Sequence, residues 1–497
     1  MRKSIFSISF LWLLLFGLLN LFSSGRWSMV AAGWLSPIFG LYFLHNYQGK
    51  RRFLMFYLVL WITLSIAWWG GTPIWGAAHF VFMAVNALIG SLPFILDRWL
   101  LTRIAEAGER PFYSTLIFPL AVTAIEYLTS SSNPIGNFGA AGYSQYGFDS
   151  LLQITAVTGM LGLTFLINWF ASTVVWVWEH GFAWDRVRKG VIVYAVIMLL
   201  VLGYGFIRLR TAPSTAANEV TIASFTLHDT NMQKWNELVR SDRATFRQET
   251  QAVHAAYLSR TAVAEADIVL WPEAAIVGVA EDVTAAIMQG QALAREKGIY
   301  LAMPTVTMFP DSDRPGENIL YLADPAGEIV LTHVKFGGNL FEGTLAGSGE
   351  LQVVDTPYGR LSAAICWDTD FPGVIRQAGQ QHVDILLSPS LDWEGINPMH
   401  GEMSAFRALE NGLTVVRQAD KGLSLVTDAY GRNIASSPAV EAELLAVVAS
   451  EGPVTPYSGL GDLGGLLSLV GLIVLSGAVI LNGRRAQQPR AETVSLA

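Results

Sequence analysis

Cys366 is the only cysteine in 497 residues, and its surroundings suit a nucleophile. Leu361, Ser362, Ala363, Ala364 and Ile365 lead into it and read as a short buried strand. Trp367, Asp368 and the Phe371-Pro372 pair follow, a strand-to-loop turn with a helix beginning near Phe371. At such a strand end, backbone N–H groups and a helix N-terminus can lower a thiol's pKa and stabilise an oxyanion. A lone cysteine is otherwise a small buried hydrophobe, so the chemistry depends on partners.

A cysteine nucleophile needs a proton acceptor. His228, His254, His333, His382 and His400 stand in no recognisable catalytic context and read as ordinary polar or surface residues. No His/Cys/Asp spacing suits zinc, and the chain calls for no metal or cofactor. Carboxylates are better placed. Glu273 ends the apolar run Ile268-Val-Leu-Trp-Pro-Glu273, at the strand end where α/β folds gather ligands. Taken alone it is equally an acid leading into the next helix. Lys335 closes a hairpin strand just before Gly337-Gly338, a place where a lysine is commonly just solvated.

The elements that carry these residues divide the chain. Hydrophobic residues make up 52%, charged residues 14%, and the mean hydropathy is +0.40, which points to several membrane spans. A net charge of −8 with no basic patch excludes nucleic acid as a partner. One cysteine forms no intramolecular disulfide, so its count says nothing of compartment. Apolar segments of spanning length fall at about 5–22, 27–47, 53–70, 73–95, 111–128, 150–178, 190–207 and 463–482. The first follows Arg2-Lys3 without a small-residue cleavage site, so it reads as an uncleaved span. Lys and Arg collect before the first span and in alternate loops (Lys50 to Arg52, Arg98 to Arg110, Arg186 to Lys189), and again after the last (Arg484, Arg485, Arg490). That pattern puts both termini in the cytoplasm and the large region after the seventh span outside. Arg208 and Arg210 fall on the unexpected side. The Gly- and aromatic-rich loop Ser130–Ser150 reads either as a plain interfacial loop or as a mobile lid beside an external site.

Charges return between about 218 and 450. Strands are expected at Glu219–Phe225, Asp267–Trp271, Ile299–Val306, Asn318–Ala323, Glu328–Val334, Glu350–Asp355, Leu361–Cys366, Asp384–Ser388, Leu413–Arg417 and Leu423–Asp428. Helices are expected at Met232–Ala264, Glu281–Lys297 and Pro398–Asn411. Mixed α/β order with hairpins suits a layered sandwich better than a purely parallel sheet.

Glutamate after Trp-Pro, lysine about sixty residues on and cysteine about thirty beyond is an order that resembles the nitrilase, or carbon–nitrogen hydrolase, superfamily. Leu270-Trp-Pro-Glu273, Ile365 to Pro372 and Ala405 to Arg417 resemble its signatures. With seven spans before the domain and one after, the chain is similar to the membrane-embedded branch, the apolipoprotein N-acyltransferases. Gly142-Tyr-Ser-Gln145, Lys234-Trp235 and Thr455-Pro-Tyr457 with Gly461-Asp462 extend that likeness.

The resemblance implies a multi-span α-helical membrane protein carrying an inserted α/β nitrilase-like αββα sandwich outside the cytoplasm. Its parts would be a seven-span domain at 1–210, the catalytic domain at 218–450, a C-terminal span at 460–483 and a short cytoplasmic tail at 484–497. It implies a Glu273–Lys335–Cys366 triad, with Glu342, Trp367 and Asp368 supporting it or binding substrate. The substrates would be a phospholipid acyl donor and a diacylated lipoprotein acceptor. The enzyme would work as a monomer among the lipids of a bacterial inner membrane, without a cofactor. The chain departs from the family's usual text at Phe336 to Glu342, where the lid proline is missing, at Cys366-Trp-Asp368 in place of Cys-Tyr-Glu, and at Phe225-Thr-Leu227. Two rivals stay open here: a membrane-tethered amidase or nitrilase using water, and a non-catalytic binding platform.

Overall fold

The computed structural model describes residues 2–106, 109–213, 219–438 and 442–487. Residues 488–497 of the expected tail lie outside them. Among the described residues, five helices are long and apolar enough to cross a membrane: Ala77–Ala105, Phe112–Ser132, Met160–Glu179, Trp184–Thr211 and Leu463–Leu481. The other three expected spans are helical too, at Arg2–Asn20, Val30–Asn46 and Arg52–Ala67; the last two are shorter, at 17 and 16 residues. A span needs about 20 residues to cross the hydrocarbon layer.

The sixth expected span starts ten residues late. Residues 149–158 form two short helices, and only Met160–Glu179 is continuous. The reason is polar: Gln153 is buried and donates to the Tyr430 carbonyl at 2.9 Å, which binds this stretch to the α/β domain. Arg208 is placed by the same contact surface. Its guanidinium donates to the Ala429 carbonyl (3.2 Å) and packs over the Tyr430 ring (4.9 Å), so it is held in a contact with the α/β domain.

The α/β domain is built from two sheets. The first holds β1 (Glu219–Phe225), β2 (Ile268–Leu270), β3 (Ile276–Gly278), β4 (Tyr300–Thr307), β5 (Glu317–Ala323) and β6 (Ile329–Val334). The second holds β7 (Val354–Thr356), β8 (Gly359–Ala363), β9 (Ile385–Leu391), β10 (Thr414–Asp420), β11 (Ser424–Thr427) and β12 (Asn433–Ser437). A last strand, β13 (Glu443–Ala449), returns to pair antiparallel with β1. The orders are β13-β1-β2-β4-β5-β6, with β3 also on β4, and β12-β11-β10-β9-β8-β7. β1, β2 and β4 run parallel, as do β8, β9 and β10, while the outer strands are antiparallel hairpins.

Ile222, Leu270, Leu320, Leu361, Ile385, Val416 and Ala446 pack between the two sheets as one core. Helices cover the outer faces, so the layers run αββα. On the first sheet lie Arg243–Ala262 and Ala280–Lys297, and on the second Pro372–Gln380 and Met399–Asn411. The long helix expected over Met232–Ala264 is broken at Asp242, whose carboxylate caps the second half by accepting from the Thr245 N–H at 3.1 Å. β13 escaped detection because its exposed face is as apolar as its buried one: Leu445 and Val447 alternate with Leu444, Ala446 and Val448.

Met399–Asn411 has membrane helices on its other side. Met399, Met403, Phe406 and Leu409 join Tyr143, Met160, Leu163 and Trp169 in a shared cluster. Burying such side chains contributes about 1.5–3 kcal/mol each, so the helix bundle and the sandwich form one packed body.

Candidate active site

β8 ends at Ala363, and Cys366 opens a single 3-10 turn, Cys366–Asp370, before helix Pro372–Gln380. Cys366 has φ +49°, a left-handed conformation that costs a non-glycine residue roughly 1–3 kcal/mol. Ala274, just after Glu273, is left-handed as well (φ +60°). Both are held by surrounding packing, since Ala274 and Cys366 are almost fully buried.

The structure brings Glu273, Lys335 and Cys366 together. Lys335 at the end of β6 is 0% exposed, and its Nζ donates to Glu273 Oε1 at 2.7 Å and to Glu342 Oε1. Asn318 Nδ2 donates to Glu273 Oε1 at 2.7 Å, and the Leu391 backbone N–H to Oε2 at 2.7 Å. The carboxylate is therefore aimed by three donors from three strands. Burial alone would lower the Lys335 pKa, but Glu273 and Glu342 raise it well above the usual lysine range. It is a fixed cation. Burial and then Glu273 push the Cys366 thiol well above its ordinary range, with Lys335 opposing them. Cys366 thus rests as a neutral thiol, its Sγ 3.9 Å from the Leu391 carbonyl. Burial raises the Glu342 pKa, and Lys335 offsets part of that.

Asp368 faces inward and supports loops. One oxygen accepts from the N–H groups of Phe336 (2.9 Å) and Gly337 (2.7 Å), the other from Ile365 N–H (2.8 Å), with His333 Nε2 2.7 Å away. It ties the turn of Cys366 to the segment after Lys335. Gly337 permits that closeness: a Cβ there would meet the Phe371 ring at 2.7 Å and the Trp367 carbonyl at 2.9 Å. Trp367 is an aromatic hub, stacked on Phe341 (5.6 Å) and beside Phe138 (5.9 Å) and Trp393 (6.0 Å).

Phe138 comes from the loop Ser130–Ser150, which is docked beneath the cysteine turn. Asn137 N–H donates to the Asp370 carbonyl at 2.8 Å, and Asn137 Oδ1 accepts from Tyr143 OH at 2.8 Å. Gly136 (φ +62°) is required here, because a Cβ would lie 2.1 Å from the Asp370 carbonyl oxygen. The loop is a floor to the site.

Reading the histidines as ordinary polar or surface residues missed two at the site, and a third, His254, is buried beside Trp271. His333 and His400 are buried, His333 on Asp368 and His400 between Asp370 and Asp392. Asn318, Asp392 and Arg417 were also missed. Each is brought in by strand order, and no local spacing marks it.

A family model described as carbon–nitrogen hydrolase matches residues 220–449. An apolipoprotein N-acyltransferase of Geobacter metallireducens is 27% identical over 423 residues, covering 78% of this chain and 77% of that one. One from Brucella suis is 28% identical over 418 residues, 76% of each chain. One from Haemophilus influenzae is 23% identical over 493 residues, 90% of each chain. Residues 220–449 thus match the carbon–nitrogen hydrolase family, and the curated relatives that this chain resembles over most of its length are apolipoprotein N-acyltransferases.

Proposed function

We propose that this chain transfers a fatty acyl chain from a membrane phospholipid to the N-terminal amino group of a diacylglyceryl-cysteine lipoprotein, through a thioester on Cys366. One observation carries the assignment. A buried cysteine beside a Lys–Glu pair stands on a floor supplied by the helix bundle itself, where a lipid substrate is at hand.

Glu273 takes the thiol proton as Sγ attacks the ester carbonyl carbon. Lys335 and the Trp367 backbone N–H stabilise the tetrahedral oxyanion. The C–O bond breaks, the lysophospholipid alkoxide recovers the proton from Glu273, and the acyl group stays on sulfur. The acceptor's free amine then attacks the thioester carbonyl, Glu273 takes the amine's proton, and the departing thiolate is reprotonated. A permanently charged Lys335 suits the oxyanion role because it needs no proton transfer of its own. Glu342, on the far side of Lys335, holds that ammonium and faces the incoming amine.

Leu340, Phe341 and Leu345 after Lys335 are exposed and apolar, which supports contact of this segment with lipid. The Lys/Arg asymmetry of the loops supports both termini on the cytoplasmic side and the α/β domain outside.

The test is mass spectrometry of the full chain incubated with bacterial phospholipid. The expected product is a long-chain acyl thioester on Cys366 that diacylated lipopeptide discharges. An adduct formed only from small soluble amides would replace the transferase with a hydrolase.

A further inference from the structure

Beside the triad lies a second buried cluster that the transfer chemistry leaves unused. His400, on helix Met399–Asn411, hydrogen-bonds Asp392 Oδ1 through Nδ1 at 2.8 Å and places Nε2 3.2 Å from Asp370 Oδ2, an ion-pair contact outside hydrogen-bond alignment. Arg417 on β10 donates to both oxygens of Asp392, at 2.7 and 2.8 Å, and lies 3.1 Å from His400 Nδ1. All four side chains are at most 2% exposed. From the membrane side the Phe138 ring packs against the imidazole at 6.1 Å.

Ligand atoms of Cys366, Asp392 and His400 lie within 4.8 Å of one another, a spacing open to a metal ion. The Arg417 guanidinium already supplies the positive charge on Asp392, so the cluster is an ion network of protein groups. Two carboxylates face one guanidinium and one imidazole, and charge balances when the imidazole is protonated. Burial would lower the His400 pKa, but Asp370 and Asp392 raise it to about 9.

The two carboxylates mark the two halves of the site. Asp370 ends the turn that begins with Cys366. Asp392 follows Leu391, whose N–H aims Glu273 and whose carbonyl faces the Cys366 sulfur. We propose that His400 is a positioning residue: by bridging Asp370 and Asp392 it fixes the cysteine turn against the strand end that orients the base. The proposal rests on the triad assignment above. His400 makes no hydrogen bond to Cys366, although one of its nitrogens lies within 4.8 Å of the sulfur, so its effect falls on the rate of the chemical step and leaves lipid affinity alone. A misplacement of about 1 Å between thiol and base costs on the order of a hundredfold in rate.

The full chain in lipid nanodiscs tests this through single-turnover formation of the Cys366 acyl thioester, with phospholipid concentration varied. His400→Leu is expected to slow the maximal rate on the order of a hundredfold with the half-saturating lipid concentration unchanged. His400→Gln, whose amide still donates to one carboxylate, is expected to recover to within about tenfold of the parent rate. Equal losses in the two variants, a His400→Leu rate within about threefold of the parent, or loss of cooperative unfolding in both would each overturn the proposal. Glu273→Gln is the control. If it acylates Cys366 at the parent rate, the triad assignment fails; if it is inactive while His400→Leu is not, only the role of His400 fails.

Discussion

Two buried charge clusters meet at consecutive residues, Leu391 and Asp392, and they are built differently. In the first, Leu391 aims Glu273, and Glu273 and Glu342 share one lysine, with Glu342 31% exposed at the edge. In the second, Asp392 is clamped by Arg417 and His400, and no member has an exposed edge. The first has a fixed cation, the carboxylate proposed as the base and a thiol within reach of both their charges. The second has a planar guanidinium and an imidazole joining a helix to two strand ends. Burying ions is costly unless geometry and hydrogen bonding repay the lost hydration. The first cluster can use that environment to strengthen its field on a developing oxyanion, whereas the second can use it only to hold shape.

That contrast can be broken most sharply at the first cluster. Glu273→Gln and Lys335→Met should each lower thioester formation by about 10⁴-fold or more, measured by mass spectrometry of the full chain. A residual rate within tenfold of the parent would move the chemistry elsewhere. The second cluster should answer in stability. Arg417→Met strands Asp392 in the core and should cost about 3–5 kcal/mol, read as a lowered unfolding midpoint in detergent. Its pH response has a definite sign. The folded His400 pKa, about 9, lies above the ordinary value of 6.5, so its contribution is complete below 6.5 and is lost as pH rises through about 9. Asp392 is held at about 2 against an ordinary 3.8, its burial overcome by Arg417 and His400, so its contribution is lost only as pH falls through about 2. The unfolding midpoint should therefore drop on the alkaline side near pH 9, and His400→Gln should flatten that limb. The smallest effect is expected from Trp367→Tyr, which keeps an aromatic face for Phe341. Thioester formation should change by no more than about fivefold, with its preference among acyl-chain lengths shifted.

Much of the site was legible because its three principal residues end apolar strands. Ile268 to Leu270, Ile329 to Val334 and Gly359 to Ala363 are short-range patterns, and Glu273, Lys335 and Cys366 follow from where each stops. Boundaries blurred where the pattern had two causes. Residues 150–158 are apolar enough for a span, yet buried Gln153 binds the domain. The strand expected at Glu350–Asp355 shrinks to Val354–Thr356, because the backbone N–H of Leu351 bonds the Gln377 side chain on a neighbouring helix.

The sequence by itself determined the apolar helices, the alternation of strands and helices after them, and a thiol, an ammonium and a carboxylate at strand ends. Those depend on hydrophobic periodicity within a few residues. Only the tertiary structure decided that Asn318 and Leu391 aim Glu273, that Asp368 knits the lid base to the cysteine turn, and that Phe138 of the helix bundle floors the site. It also turned His400, one histidine among eight, into a strut between two aspartates 22 residues apart in the chain. Such contacts depend on which strands lie side by side and which helix fills the space over them, and no local pattern in the chain carries that information.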